Sequence, residues 1–200
     1  MYGGVLICEK FFRSPIVPEN PRLDRSQTQL LVIDLQEKLL PHISGHDAVT
    51  AQTIKILRAA RELQLPTLVT EQYPQGLGRT PAAVLEAAGE APLLEKMAFS
   101  VWREDHCREH LKRIGRPRIM LAGIEAHVCV QQTALDLAEA GFLPFVLVDA
   151  VSSRRPSDRD VALERLRSAG VVITTTEAAI FEMLDRSGTE LFKRILPIVR

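Results

Sequence analysis

The amino-acid sequence predicts an α/β fold in a single domain, with a mostly parallel six-stranded sheet covered on both faces by helices. Three observations carry that expectation. Short apolar runs bounded by Gly, Pro or polar residues alternate along the chain with longer stretches whose apolar residues recur at helical spacing. Several of the runs end in a charged residue (Asp34, Lys96, Asp149), as parallel strands do when their C-terminal ends deliver side chains to a site. Finally, 200 residues with 46% hydrophobic content suffice for one substantial core, and no linker-like stretch marks a second.

Residues 1–28 carry Pro15, Pro18 and Pro21 without lasting periodicity and read as an extended arm, leaving 29–200 as the folded domain. Leu30-Leu31-Val32-Ile33 is the first strand, ending in Asp34, which either enters a site or caps the following turn. Val49, Thr53, Ile56, Leu57, Ala60 and Leu63 place a helix over 47–64, and Leu65-Pro66 stops it before the β-branched strand 67–70. The loop 71–81 holds Gly76 and Gly78, but Pro81 stands where a dinucleotide fingerprint needs its third glycine. A short helix over 81–90 precedes a strand over 92–96 that ends in Lys96, with Phe99 and Trp102 close behind. A helix over 104–114 follows, in which His106-Cys107-Arg108-Glu109-His110 imitates a zinc-peptidase motif amid the positive charge of Arg108, Lys112 and Arg113. Residues 118–122 form a buried strand, and Gly123 leads into a helix that carries Cys129 in its first turn and stops at Gly141. Strands over 143–148 and 171–174 and helices over 158–169 and 176–184 complete a Rossmann-like alternation.

Charge and cysteine usage narrow the partners. Lys plus Arg and Asp plus Glu both number 25, so no basic excess points to nucleic acid, and a small-molecule partner is expected. Cys8, Cys107 and Cys129 are three, widely spaced and without a CxxC pair, which fits free thiols in a reducing, cytoplasmic setting. No apolar run is long enough to span a bilayer, so no membrane partner is expected.

Asp34, Lys96 and Cys129 fall at the C-terminal ends of the first, third and fourth strands, and a parallel sheet brings those ends to one edge. Alone, Cys129 reads either as a packed thiol or as a nucleophile whose thiolate is favoured by free N–H groups at a helix start. Together, a carboxylate, an ammonium and a thiol form an acid, base and nucleophile set.

The segments Leu31-Val32-Ile33-Asp34-Leu35-Gln36, Thr70-Glu71-Gln72-Tyr73-Pro74, Glu95-Lys96 with Phe99-Ser100, Gly123-Ile124-Glu125-Ala126-His127-Val128-Cys129-Val130 and Asp149-Ala150-Val151-Ser152-Ser153 resemble, in order and spacing, the isochorismatase-like cysteine hydrolases, and isochorismatase domain-containing proteins in particular. The resemblance spans about residues 28–186 and implies a catalytic triad of Asp34, Lys96 and Cys129. It implies a thioester route, an oxyanion held by the backbone N–H groups of Glu125 and Cys129, and a cis Ile124-Glu125 peptide that aims the first of them. It also implies a homo-oligomer, for which Leu191, Phe192, Ile195, Leu196, Ile198 and Val199 offer a subunit contact unless they pack on their own sheet.

Nicotinamidase-like members hold a metal through an Asp-x-His pair and a further histidine. Here only His42 and His46 fall in that interval, so neither metal nor cofactor is expected. The expected activity is hydrolysis of a small amide or related carbonyl compound in a pocket lined by Gln36, Tyr73, Phe99, Trp102 and Glu125. Glu125 stands where amidohydrolase members often carry a small residue, and it either selects substrate or is tied down structurally. The alternative is a non-catalytic or redox-sensing member of the same fold.

Overall fold

A computed structural model describes residues 21–200; most of the N-terminal arm therefore lies outside the described residues. The strands are β1 (Thr28–Ile33), β2 (Thr67–Gln72), β3 (Leu93–Lys96), β4 (Arg118–Ile124), β5 (Leu143–Ser152) and β6 (Val172–Thr174). They form one sheet in the order β3-β2-β1-β4-β5-β6, with every pairing parallel. The helices are α1 (His46–Leu63), α2 (Pro74–Leu77), α3 (Ala82–Ala88), α4 (Asp105–Ile114), α5 (Gln131–Glu139), α6 (Pro156–Ser168), α7 (Thr176–Leu184) and α8 (Glu190–Val199).

Alternation along the strands divides the core into two layers. Leu30 and Val32 of β1 face a cluster that takes in Ile56 and Leu57 of α1, Val84 of α3, Ile180 of α7 and Ile195 of α8. Leu31 and Ile33 face the opposite cluster, with Leu111 of α4, Leu137 of α5 and Leu166 of α6. All six residues of β1 are buried, and Leu30–Ile33 are apolar without alternation, as a strand covered on both faces requires. The strand order reverses between β1 and β4, and the crevice beyond their C-terminal ends is where open α/β sheets bind ligands.

Two elements differ from the expectation, β5 and the turn that carries Cys129, and one alternative is resolved. β5 continues to Ser152 because tertiary partners satisfy its polar residues: Asp149 Oδ1 accepts from the Thr176 N–H and hydroxyl at 2.8 and 2.9 Å, and the Ser152 hydroxyl donates to the Ser44 carbonyl at 2.7 Å. The C-terminal apolar residues form α8, which buries Ile195 and Val199 in the chain's own core beside α1, the second of the two alternatives the sequence leaves open. Cys129 lies in a π-helical turn, Ala126–Val130, ahead of α5 rather than in the first turn of a regular helix.

Gly123 is the tightest point of the central pair. It sits opposite Ile33 in register, adopts φ +119°, and a Cβ there would collide with the Ile33 carbonyl. Gly123→Ala is expected to lower the unfolding free energy by at least about 2 kcal/mol, read from urea denaturation.

Candidate active site

Asp34 is the first residue beyond β1 and takes φ 55°, a left-handed conformation that Asp tolerates better than most residues. Neighbouring β2 fixes it: the Asp34 N–H donates to the Thr70 carbonyl at 3.1 Å, and the Thr70 hydroxyl donates to Asp34 Oδ1 at 2.8 Å. Lys96, the last residue of β3, is in register with Gln72, so its stem crosses the end of β2 and brings Nζ to 2.7 Å from Asp34 Oδ2. Neither side chain of this pair has exposed surface. Nζ also donates to Gln72 Oε1 at 2.7 Å and to the carbonyls of Phe99 and Ala98 at 3.0 and 3.1 Å.

Cys129 arrives from β4. Beyond that strand the Ile124-Glu125 peptide is cis, as the resemblance implies, and the Glu125 carbonyl accepts from the N–H groups of Val128 and Val130 at 3.0 and 3.2 Å, closing the π-helical turn. The thiol is buried, within hydrogen-bonding reach of both the Asp34 carboxylate and the Lys96 ammonium. The structure thus brings together the three groups that the sequence places at separate strand ends.

Electrostatics revise one expectation. Burial pushes the Cys129 thiol up to about 12, the Asp34 charge adds to that, and Lys96 only partly opposes it. The helix-start argument for a preformed thiolate is therefore overturned, because desolvation and a neighbouring carboxylate outweigh the turn's N–H groups. Burial likewise raises Asp34 above the usual carboxylate range, against the opposing pull of Lys96 and Thr70. A raised carboxylate is a stronger base, and a neutral thiol beside it is a proton donor.

The expected pocket residues have diverse surroundings. Tyr73 and Phe99 are 46% and 55% exposed, and Met97 is exposed as well; the Tyr73 N–H donates to the Lys96 carbonyl, which keeps that residue near the end of β3. Gln36 offers no free group: its amide donates to the carbonyls of Gln72 and Gly78 at 3.0 and 2.7 Å, and its Oε1 accepts from the Gln72 N–H at 2.8 Å. Trp102 packs into the α4–α5 layer, edge-on to Phe142 at 5.3 Å with the Lys112 ammonium over its ring. Glu125 Oε2 accepts from the Arg154 N–H and Nε at 2.9 and 3.1 Å, which holds its carboxylate in an ion pair. Among the described residues no group of three or more His, Cys, Asp or Glu is arranged to hold a metal ion. In the zinc-like motif, His106 contacts the Glu95 carbonyl and His110 contacts Arg113.

A family model described as Isochorismatase domain matches residues 28–178. The chain belongs to the isochorismatase family. Isochorismatase domain-containing protein 2 of Danio rerio is 40% identical over 175 residues, covering 87% of this chain and 87% of that protein. A Caenorhabditis elegans structure named as MAR1 ribonuclease superposes with a TM-score of 0.84 at 38% identity, covering 89% of this chain and 92% of that one. The Pseudomonas aeruginosa YcaC structure with hexane-2,5-diol and covalent acrylamide gives a TM-score of 0.83 at 26% identity, over 88% and 91% of the two chains. Membership of the isochorismatase family supports a hydrolase-type function, and no helix among the described residues is long and apolar enough to cross a membrane.

Sequence reasoning missed Thr70 and Gln72 as parts of the site. Thr70 and Gln72 stand on β2 between Asp34 and Lys96, and only the strand order puts them there. The thiol's titration follows from its neighbours: thiolate absorbance should place half-ionisation of Cys129 above about pH 10. Asp34→Asn removes the negative neighbour and should lower it by about one unit or more, whereas Lys96→Ala should raise it.

Proposed function

We propose that this isochorismatase-family protein is a metal-independent cysteine hydrolase of a small amide or related carbonyl compound, with Asp34, Lys96 and Cys129 as its catalytic triad. The observation that carries it is the buried carboxylate Asp34, held 2.7 Å from the Lys96 ammonium and within reach of a neutral, buried thiol. A nucleophile with so high a pKa works only if a base removes its proton as it attacks, and Asp34, made more basic by burial, is that base.

In the first half-reaction Asp34 takes the thiol proton as Sγ bonds to the substrate carbonyl carbon. The developing oxyanion is held by the backbone N–H groups of Glu125, just before the π-helical turn, and Cys129, within it. Collapse breaks the C–N bond, Asp34 returns its proton to the leaving nitrogen, and a thioester remains. Water then attacks the thioester while Asp34 takes its proton; the C–S bond breaks, Asp34 reprotonates the sulfur, and a carboxylic acid leaves. Throughout, Lys96 keeps the carboxylate charge tolerable in a desolvated site.

A substrate with an apolar flank is favoured, since Tyr73, Met97 and Phe99 are exposed and the Glu125 charge is already matched by Arg154. A covalent acrylamide on the Pseudomonas aeruginosa relative agrees with a reactive nucleophile in this fold, since acrylamide is captured at its alkene. The ribonuclease name of the Caenorhabditis elegans relative suggests a phosphodiester instead, but 25 basic against 25 acidic residues supply no cationic excess for a phosphate backbone.

Screening small amides, ureides and esters should find a substrate whose turnover falls by about a hundredfold or more in both Cys129→Ser and Asp34→Asn. Mass spectrometry of the quenched parent should catch the acylated Cys129 peptide. Turnover unchanged in either variant, or cleavage of single-stranded RNA that depends on Cys129 in place of amide turnover, would sink the proposal.

A further inference from the structure

An ammonium has three N–H donors, and Lys96 has four oxygens around it. Gln72 Oε1, the Phe99 carbonyl and the Ala98 carbonyl take hydrogen bonds at 2.7, 3.0 and 3.1 Å. The fourth, Asp34 Oδ2, is as close as Gln72, at 2.7 Å, yet it is buried and completes no hydrogen bond of good geometry among the described residues. A buried carboxylate oxygen left open in this way calls for a reason.

The acceptors that occupy Lys96 are themselves held in place. Glu104, the residue before α4, accepts the N–H groups of both Met97 and Ala98 on Oε1 at 2.7 Å, and Gln72 Nε2 donates to the Met97 carbonyl at 2.8 Å. These contacts pin the turn after β3 from two sides and aim its carbonyls back at Nζ. The two N–H bonds also hold the Glu104 carboxyl below the usual carboxylate range, so it is a charged acceptor at neutral pH.

We propose that Glu104 and Gln72 are positioning residues for the hydrolytic reaction: by keeping the three protons of Lys96 occupied, they make it act on Asp34 by charge alone and leave Oδ2 open for the Cys129 proton. The inference rests on the hydrolase function proposed above. Without these constraints Lys96 turns a proton onto Oδ2, the carboxylate becomes a weaker base, and the thiol loses its acceptor. The groups facing Asp34 are Lys96 and Cys129 at contact, with the buried Cys107 thiol of α4 at longer range; Glu104 acts on Lys96.

The test is iodoacetamide modification of the full-length protein across a pH series, with the Cys129 and Cys107 peptides quantified separately by mass spectrometry. In Glu104→Ala, Cys129 should react about tenfold more slowly near neutral pH. The acid limb of its profile should move to lower pH, because a donated hydrogen bond lowers the carboxylate's pKa, and Cys107 should stay protected. Glu104→Gln keeps an acceptor oxygen and should restore the parent rate. Gln72→Met removes the acceptor on β2 and should slow Cys129 in the same direction, even if Glu104→Ala does not fold. Parent-like rates and acid limbs in the foldable variants, or faster reaction of Cys107 and Cys129 together, would overturn the positioning role. Asp34→Asn run alongside separates the two proposals. If it leaves the Cys129 profile unchanged, the hydrolase function fails; if it alters the profile while the Glu104 and Gln72 variants do not, only the positioning role fails.

Discussion

Two opposite charges 2.7 Å apart with no exposed surface on either side chain need partners on every side, since burial of the pair costs several kcal/mol per ion before compensation. The end of the sheet is arranged around that requirement for Asp34 and Lys96. Thr70 takes one carboxylate oxygen, Gln72 and two turn carbonyls take the ammonium's protons, and Glu104 and Gln72 hold that turn. Loss of one partner from such a pair costs about 3–5 kcal/mol in general, so the site and the stability of this edge depend on the same contacts.

The thiol inverts the usual picture of an activated cysteine. A lysine favours the thiolate, but the loss of water and the carboxylate weigh more and push the thiol up to about 12. In the proposed reaction the chemistry depends on proton transfer at the moment of attack, and so on which oxygen of Asp34 is open to receive the proton. On the positioning role proposed for Gln72 and the turn after β3, the open Oδ2 and the raised carboxylate belong together: burial supplies basicity, and the occupied ammonium leaves it available.

Near this polar core lie exposed apolar side chains and a matched ion pair. Tyr73, Met97 and Phe99 are exposed, and Glu125 is matched by Arg154. Glu125, which the sequence leaves open between substrate selection and structural restraint, has a partner from the loop after β5. Gln36 and Trp102 serve packing and loop closure, although their types suit a pocket wall equally well.

The sequence by itself determined the alternation of strands and helices, because apolar period and Gly or Pro boundaries are local properties. It also placed Asp34 and Lys96 at strand ends and Cys129 in the turn beyond the fourth strand, because a charged residue directly after an apolar run, or a cysteine shortly after a Gly boundary, is visible without a fold. Tertiary structure alone decided the rest. Gln72 and Glu104 are ordinary polar residues until parallel pairing sets one beside Lys96 and the turn after β3 folds onto the other. Asp149 and Ser152 could extend β5 only with hydroxyl, amide and carbonyl partners from α7 and the loop before α1. The protonation of Cys129 was beyond the sequence for the same reason: a pKa is set by desolvation and by charges a few ångströms away, and both are created only when distant segments meet.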